Sequence, residues 1–275
     1  MVWRMAHLAL AMLFAGAAPA AADEPALSGR FEQGGLVLGS GAAGADLRLD
    51  GRRLRVDDRG YFIFGFTRDA KPVARLTAAW PDGRRWRRDL EIAPRQYKIQ
   101  RIDGLPPKMV IPPQAVIDRI RRENKAIKEA RMHDSPAAFF RGGWQWPAIG
   151  VITGVYGSQR ILNGQPRRPH FGIDIAAPKG TPVRAPADAI VRLAEQNLYF
   201  TGGTLILDHG HGLSSALLHM ARLDVAVGQK VTRGQVIGTI GSTGRSTGPH
   251  LDWRINWFAE RLDPAQLVGP MPPVK

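Results

Sequence analysis

Val236-Ile237-Gly238-Thr239-Ile240, a turn-forming run Gly241-Ser242-Thr243-Gly244-Arg245-Ser246-Thr247-Gly248-Pro249, and then His250-Leu251-Asp252-Trp253-Arg254-Ile255 decide the fold class. Two short β-branched stretches flank a segment whose Gly, Ser and Pro content excludes a helix, which reads as strand, loop, strand. The pattern recurs on both sides of it. Working back from Val236, the runs Lys230 to Val231, Ser214 to Leu218, Thr204 to Leu207, Ala189 to Ala194, Thr181 to Ala185 and Ile149 to Tyr156 are each bounded by Gly, Pro, Asn or Asp. Residues 141–275 are therefore expected to form a compact barrel or sandwich of short, mainly antiparallel strands.

Upstream, residues 23–104 repeat the rhythm at roughly ten-residue spacing. The expected strands are Gly35 to Leu38, Asp46 to Leu49, Arg53 to Val56, Tyr61 to Phe66, Ala74 to Ala79 and Trp86 to Ile92. That makes a small β-sandwich without a His, a nucleophile or a carboxylate cluster, suited to a spacer, regulatory or wall-binding role. Between the two halves, residues 105–140 carry Leu105-Pro106-Pro107 and Ile111-Pro112-Pro113, then Val116, Ile117, Ile120 and Ile127 at helical spacing. One amphipathic helix is expected there, packed across the halves, packed on the second half, or standing as a solvated rod. The whole is mostly β with a single linking helix.

Composition narrows the function. Cysteine is absent, so disulfides, thiolate metal sites and Cys nucleophiles are excluded, and any metal must sit on His, Asp or Glu. Residues 1–22 have Arg4 as their only charge, an apolar run from Leu8 to Ala18 too short to span a bilayer, and Ala-rich residues before Asp23. This is the layout of a cleaved secretory signal, with an ordinary helix or uncleaved anchor as the alternative. It implies an exported protein, in the periplasm or secreted, and not membrane-spanning once processed. A formal net charge of +14 suits anionic lipid headgroups or acidic wall polymers better than nucleic acid in that compartment.

Five of the seven histidines lie beyond residue 144. His250 and Asp252 alternate on one strand and so share a face. His170 and Asp174 in His170-Phe171-Gly172-Ile173-Asp174 also share one, and Gly172 offers the bend that would bring them together. Leu217-Leu218-His219-Met220 adds a third segment. His209 and His211, in Asp208-His209-Gly210-His211-Gly212, have the context of turn-capping residues.

These segments resemble the lysostaphin-type, or LytM-domain, zinc metallopeptidases that cut peptidoglycan cross-bridges. The resemblance rests on His170 and Asp174 for an H-x-x-x-D pattern, on His219, and on Ser246-Thr247-Gly248-Pro249-His250-Leu251-Asp252 for an S-T-G-P-H-L-H signature. Gly180-Thr181-Pro182-Val183-Arg184-Ala185-Pro186 and Val227 to Gly238 fit that fold's duplicated hybrid β-motif. The resemblance implies that His170 and Asp174 ligate zinc, with Asp252 where the family has its third ligand, a histidine. It also implies His219 and His250 as general base and oxyanion stabiliser, and peptidoglycan peptides as substrate. A His, Asp, Asp set sets two negative charges against the cation, making a weaker Lewis acid that also suits Mn2+. Leu217 stands where the family often has Tyr.

Two readings stand: a metal-dependent endopeptidase, and a degenerate LytM-like module that binds peptidoglycan or activates another wall hydrolase. A biotinyl or lipoyl carrier of related barrel is excluded by the lack of a Lys at the matching hairpin tip. Trp144, Trp146, Tyr156, Trp253 and Trp257 are expected in the core or along a substrate groove, and Arg160 and Asn163 in the loop before the first ligand.

Overall fold

A computed structural model describes residues 24–103, 114–166 and 168–273. The signal segment and the two Pro-Pro motifs lie outside these residues. The first half holds two small antiparallel sheets, one of Ala26–Gly29, Leu36–Ser40 and Phe62–Gly65, the other of Arg52–Arg53, Asp46–Leu49, Val73–Ala79 and Arg85–Glu91. Alternation places them face to face. In Val73–Ala79 the residues Ala74, Leu76 and Ala78 turn inward and Val73 and Arg75 outward, and they meet Leu47, Phe62 and Phe64 in a common interior. Arg85 and Arg87 share the outward face of their strand, as alternation requires, and Arg88 on the opposite face is exposed as well.

The second half is a ten-stranded sheet whose main path runs Lys230–Val231, Ala189–Leu198, Gly202–Gly210, Leu213–Leu223, His250–Trp257, Ile173–Ala176, Val151–Gly154. Its first and last strands do not pair, so the expected barrel is an open sheet. Pro182–Arg184 pairs with Val236–Ile240, which leans on the Leu213–Leu223 strand. One face is apolar: Leu205, Leu217, Leu251, Trp253, Ile255 and Trp257 join the interior shared with the first half.

The other face carries the polar side chains Asp252, Arg254 and Asn256, paired in register with Leu218, Ala216 and Ser214. The helix Ile117–Arg131 lies on this polar face, where Ala126, Ile127 and Ala130 pack on Leu218, Ala216, Ile206, Leu193 and Leu198. It is thus docked on the second half, not a solvated rod. Glu123 accepts a hydrogen bond from the Tyr199 backbone at 2.8 Å and an ion pair from Arg119 at 2.6 Å, tying the helix to the hairpin between two long strands.

One pairing was not expected. Ile99–Ile102 runs parallel to Gln159–Leu162, so Arg160 lies on a strand and not in a loop, while Asn163 sits in the turn that follows with φ of 47°. The two halves are further joined by Arg95 to Asp263 at 2.9 Å, Gln266 to Glu32 at 2.8 Å, and the Arg52 guanidinium stacked 4.1 Å over Trp257. No described helix is long and apolar enough to cross a membrane.

Candidate metal centre

Adjacent strands create the cluster. Asp174 and Asp252 are direct cross-strand partners between Ile173–Ala176 and His250–Trp257. His170 precedes the first strand, and the chain bends at Gly172, so its Nε2 comes to 3.1 Å from Asp174 Oδ1. Ligand atoms of His170, Asp174 and Asp252 all lie within 4.8 Å of one another, and all three residues are buried. Two glycines permit this crowding. A Cβ at Gly172 would run into Asp252 Oδ1, and one at Gly154 into Asp174 Oδ2.

The donor set fits a divalent cation. Four-coordinate zinc with bonds of about 2.0–2.2 Å sets ligand atoms about 3.3 Å apart, close to the His170–Asp174 separation. His170 Nε2 is buried and makes no hydrogen bond among the described residues, an expense that a cation would remove.

His219 and His250 flank the cluster, their rings 4.8 Å apart. Each is fixed by its Nδ1: His219 donates to the Thr243 carbonyl at 2.8 Å, His250 to the Gly248 carbonyl at 2.8 Å. A carbonyl can only accept, so Nδ1 carries the hydrogen and Nε2 of each neutral ring keeps a lone pair. His250 Nε2 is 3.9 Å from Asp174 Oδ1. His219 holds φ of 66° at an irregularity in its strand, with its backbone N–H donating to Thr201 O at 2.9 Å. A left-handed non-glycine residue costs about 1–3 kcal/mol and marks functional positions. Burial pulls His219 below the ordinary histidine range, against the pull of Asp252, so the ring is neutral near pH 7.

Asp252 has a partner that the sequence reading passed over. Arg254, two residues on and on the same face, donates Nε to Oδ1 at 3.0 Å and to Oδ2 at 3.1 Å, and Nη2 to Oδ2 at 2.5 Å. Burial alone would raise the Asp252 carboxyl; Arg254, with His170, overcomes it and holds the group well below the usual carboxylate range. The guanidinium returns the cluster's charge from −2 to −1, the charge of a His, Asp, His set. Each carboxylate oxygen has two lone pairs, so the ion pair leaves Asp252 able to ligate.

The other expectations divide. His209 is not a turn cap: it is fully buried in a strand, with Nδ1 donating to Asp188 O at 2.8 Å and Nε2 accepting from Ser215 Oγ at 2.7 Å. His211 does occupy the tight turn, with φ of 50°. Tyr156, Trp253 and Trp257 are buried, Trp257 at the edge of a cavity it shares with Arg52 and Glu260; Trp144 and Trp146 line a second cavity, where Trp146 meets Trp253 edge-on and Trp144 meets His209. Leu217 is fully buried on the apolar face.

Residues 168–264 match the model of peptidase family M23. A crystal structure of an M23 peptidase candidate from Pseudomonas aeruginosa superposes with a TM-score of 0.69 at 28% identity, covering 87% of this chain and 96% of that one. The DD-carboxypeptidase/endopeptidase Mpg of Neisseria meningitidis is 39% identical over 105 residues, 38% of this chain and 24% of the relative. The peptidoglycan DD-endopeptidase ShyA of Vibrio cholerae is 42% identical over 87 residues, 32% of this chain and 20% of the relative. The match thus spans a quarter or less of these relatives' length. Fold and family model agree: residues 168–264 form a peptidase family M23 domain.

Proposed function

We propose that the protein is an exported, metal-dependent endopeptidase that hydrolyses peptide cross-links of peptidoglycan, with His170, Asp174 and Asp252 as metal ligands. The observation that carries this is the juxtaposition of three convergent ligand atoms with two histidines whose Nδ1 anchors leave Nε2 available. A divalent cation held there, zinc or manganese, supplies Lewis acidity and a lower pKa for nearby water. The chain's own groups do the rest. His219, neutral because it is buried, takes the proton from the attacking water. His250, on the Asp174 side of the cluster, faces the oxyanion that develops on the carbonyl and would stabilise it through Nε2–H once its ring takes up a second proton. Asp174 and Asp252, braced by Gly154, Gly172 and Arg254, keep the ligand atoms from relaxing apart. The substrate class follows the two named relatives, one a DD-endopeptidase and the other a DD-carboxypeptidase/endopeptidase. The signal-like segment of residues 1–22 and the basic charge support action in the envelope, in the periplasm and against anionic surfaces.

One observation favours the second reading, a metal-free module that binds peptidoglycan or activates another hydrolase: Arg254 already supplies Asp252 with a cation. Digestion of defined muropeptide dimers, followed by mass analysis with and without chelator, separates the two. Chelator-sensitive conversion to monomers supports hydrolysis, and dimers left intact in saturating zinc and in manganese refute it. Asp252→His should tighten zinc binding and keep or raise activity, while His170→Ala should abolish metal retention with the sheet still folded.

A further inference from the structure

The polar face of the sheet has hydrogen-bond donors without acceptors. Arg131, the last residue of the helix Ile117–Arg131, follows Ala130, which packs against Ala216 and Leu218. Those two residues are the cross-strand partners of Arg254 and Asp252, so the Arg131 guanidinium ends over the strand that carries the metal cluster. Its Nε and Nη1 are buried and unpartnered among the described residues. Further along the same face, Asn256 is opposite both Ser214 and Arg261. Arg261 Nη1 donates to Asn256 Oδ1 in a short contact, while Asn256 Nδ2 and Ser214 Oγ are buried with no partner among the described residues. Asn256 is fully buried and Ser214 2% exposed.

Of the three guanidiniums, Arg254 is ion-paired with Asp252, while Arg131 and Arg261 make no ion pair among the described residues. Burial, then Arg254, lowers Arg131 to about 10, and burial, then Arg131 and Arg254, also lowers Arg261 well below the usual guanidinium range, which places the three within each other's field. Buried charges without counter-ions are expensive, and unpartnered guanidinium and amide N–H groups call for a ligand that accepts. Planar guanidiniums pair best with carboxylates, two N–H groups to two oxygens.

We propose that Arg131, Arg261, Asn256 and Ser214 form a carboxylate-binding subsite beside the metal cluster, which holds a free carboxylate of the peptide being cut. Arg254 divides the two sites, its guanidinium serving Asp252 on the cluster side. The assignment rests on the endopeptidase reading for the identity of the ligand, but the shortage of negative charge does not. Helix and sheet together build the subsite, so the linking helix is part of substrate recognition and not only a connector.

Two measurements test it. Calorimetry on chelator-treated protein, which cannot hydrolyse, compares a muropeptide dimer with free carboxylates against the same dimer fully amidated. The free acid should bind about tenfold tighter, and Arg131→Gln should cut that ratio to about twofold or less. Equal affinities in the wild type, or a ratio unchanged in Arg131→Gln, overturns the proposal. The second needs neither substrate nor metal. Asn256→Asp supplies the missing negative charge, so it should raise the melting temperature of the chelated protein and abolish the preference for the free acid. A lowered melting temperature would mean that the face lacks no anion, and overturns the proposal whether or not the protein is a hydrolase.

Discussion

Replacing Arg254 with Met isolates the electrostatics of the cluster. The Asp252 side chain is 3% exposed and that of Arg254 25%, and three donor contacts of 3.0, 3.1 and 2.5 Å join them. Removing one partner of a buried pair costs about 3–5 kcal/mol, because the other charge stays behind unpaired. Partial exposure of Arg254 and the relief of its repulsion from Arg131 reduce this to about 2–3 kcal/mol. In chelator the variant should therefore melt about 4–12 °C below the wild type. Zinc reverses the balance, since a metal on His170, Asp174 and Asp252 gives the stranded carboxylate a cation. Saturating zinc should bring the variant to within about 1 kcal/mol of the wild type. By linkage, its zinc affinity should be about 30-fold tighter for each 2 kcal/mol restored. Differential scanning calorimetry with and without zinc, paired with zinc titrations, closes the cycle. Equal melting temperatures in chelator, or the same zinc-induced shift in both proteins, would refute the reasoning, because Asp252 would then depend neither on Arg254 nor on metal.

Other perturbations report on separate parts of the account. Gly172→Ala sets a methyl against Asp252 Oδ1 and 2.7 Å from Arg254 Cγ, so it should cost about 1–3 kcal/mol and weaken zinc retention, read by calorimetry and metal analysis. His219→Ala and His250→Ala should keep metal stoichiometry while lowering kcat about 10²–10⁴-fold on muropeptide dimers; full activity in either would remove that histidine from the chemistry. Burial pulls His209 from 6.5 down to about 4, so between those values the unfolded chain binds a proton that the folded one excludes. Stability from this group is complete above about pH 6.5 and lost as the pH falls toward about 4, by at most about 3 kcal/mol. Urea denaturation across that range should show the loss in the wild type and a shallower slope in His209→Gln.

Strand alternation made much of this legible. It placed His250 and Asp252 on one face and Arg85 and Arg87 on the outside, and Gly172 gave the bend that lets His170 reach Asp174. What it could not supply were contacts set by tertiary packing. The parallel pairing of Ile99–Ile102 with Gln159–Leu162 joins segments 60 residues apart, and nothing local encodes it. The left-handed φ of His219 arises from a strand irregularity that its apolar neighbours do not announce. Trp253 and Trp257 alternate with Asp252 and Arg254, so the same periodicity that aimed Asp252 at the site committed these rings to the core. Arg254 was within reach of the argument: two positions from Asp252 on a strand, it must share its face. Arg131 was not, since only the docked helix carries it there.

Metal content measures the central claim most directly. Purified protein loaded with zinc and desalted should hold about one equivalent, and the His170→Ala and Asp174→Ala variants, folded by circular dichroism, should hold almost none. A wild-type protein that retained less than about a tenth of an equivalent, and took up neither zinc nor manganese on titration, would leave Arg254 as the cluster's only cation and contradict the account.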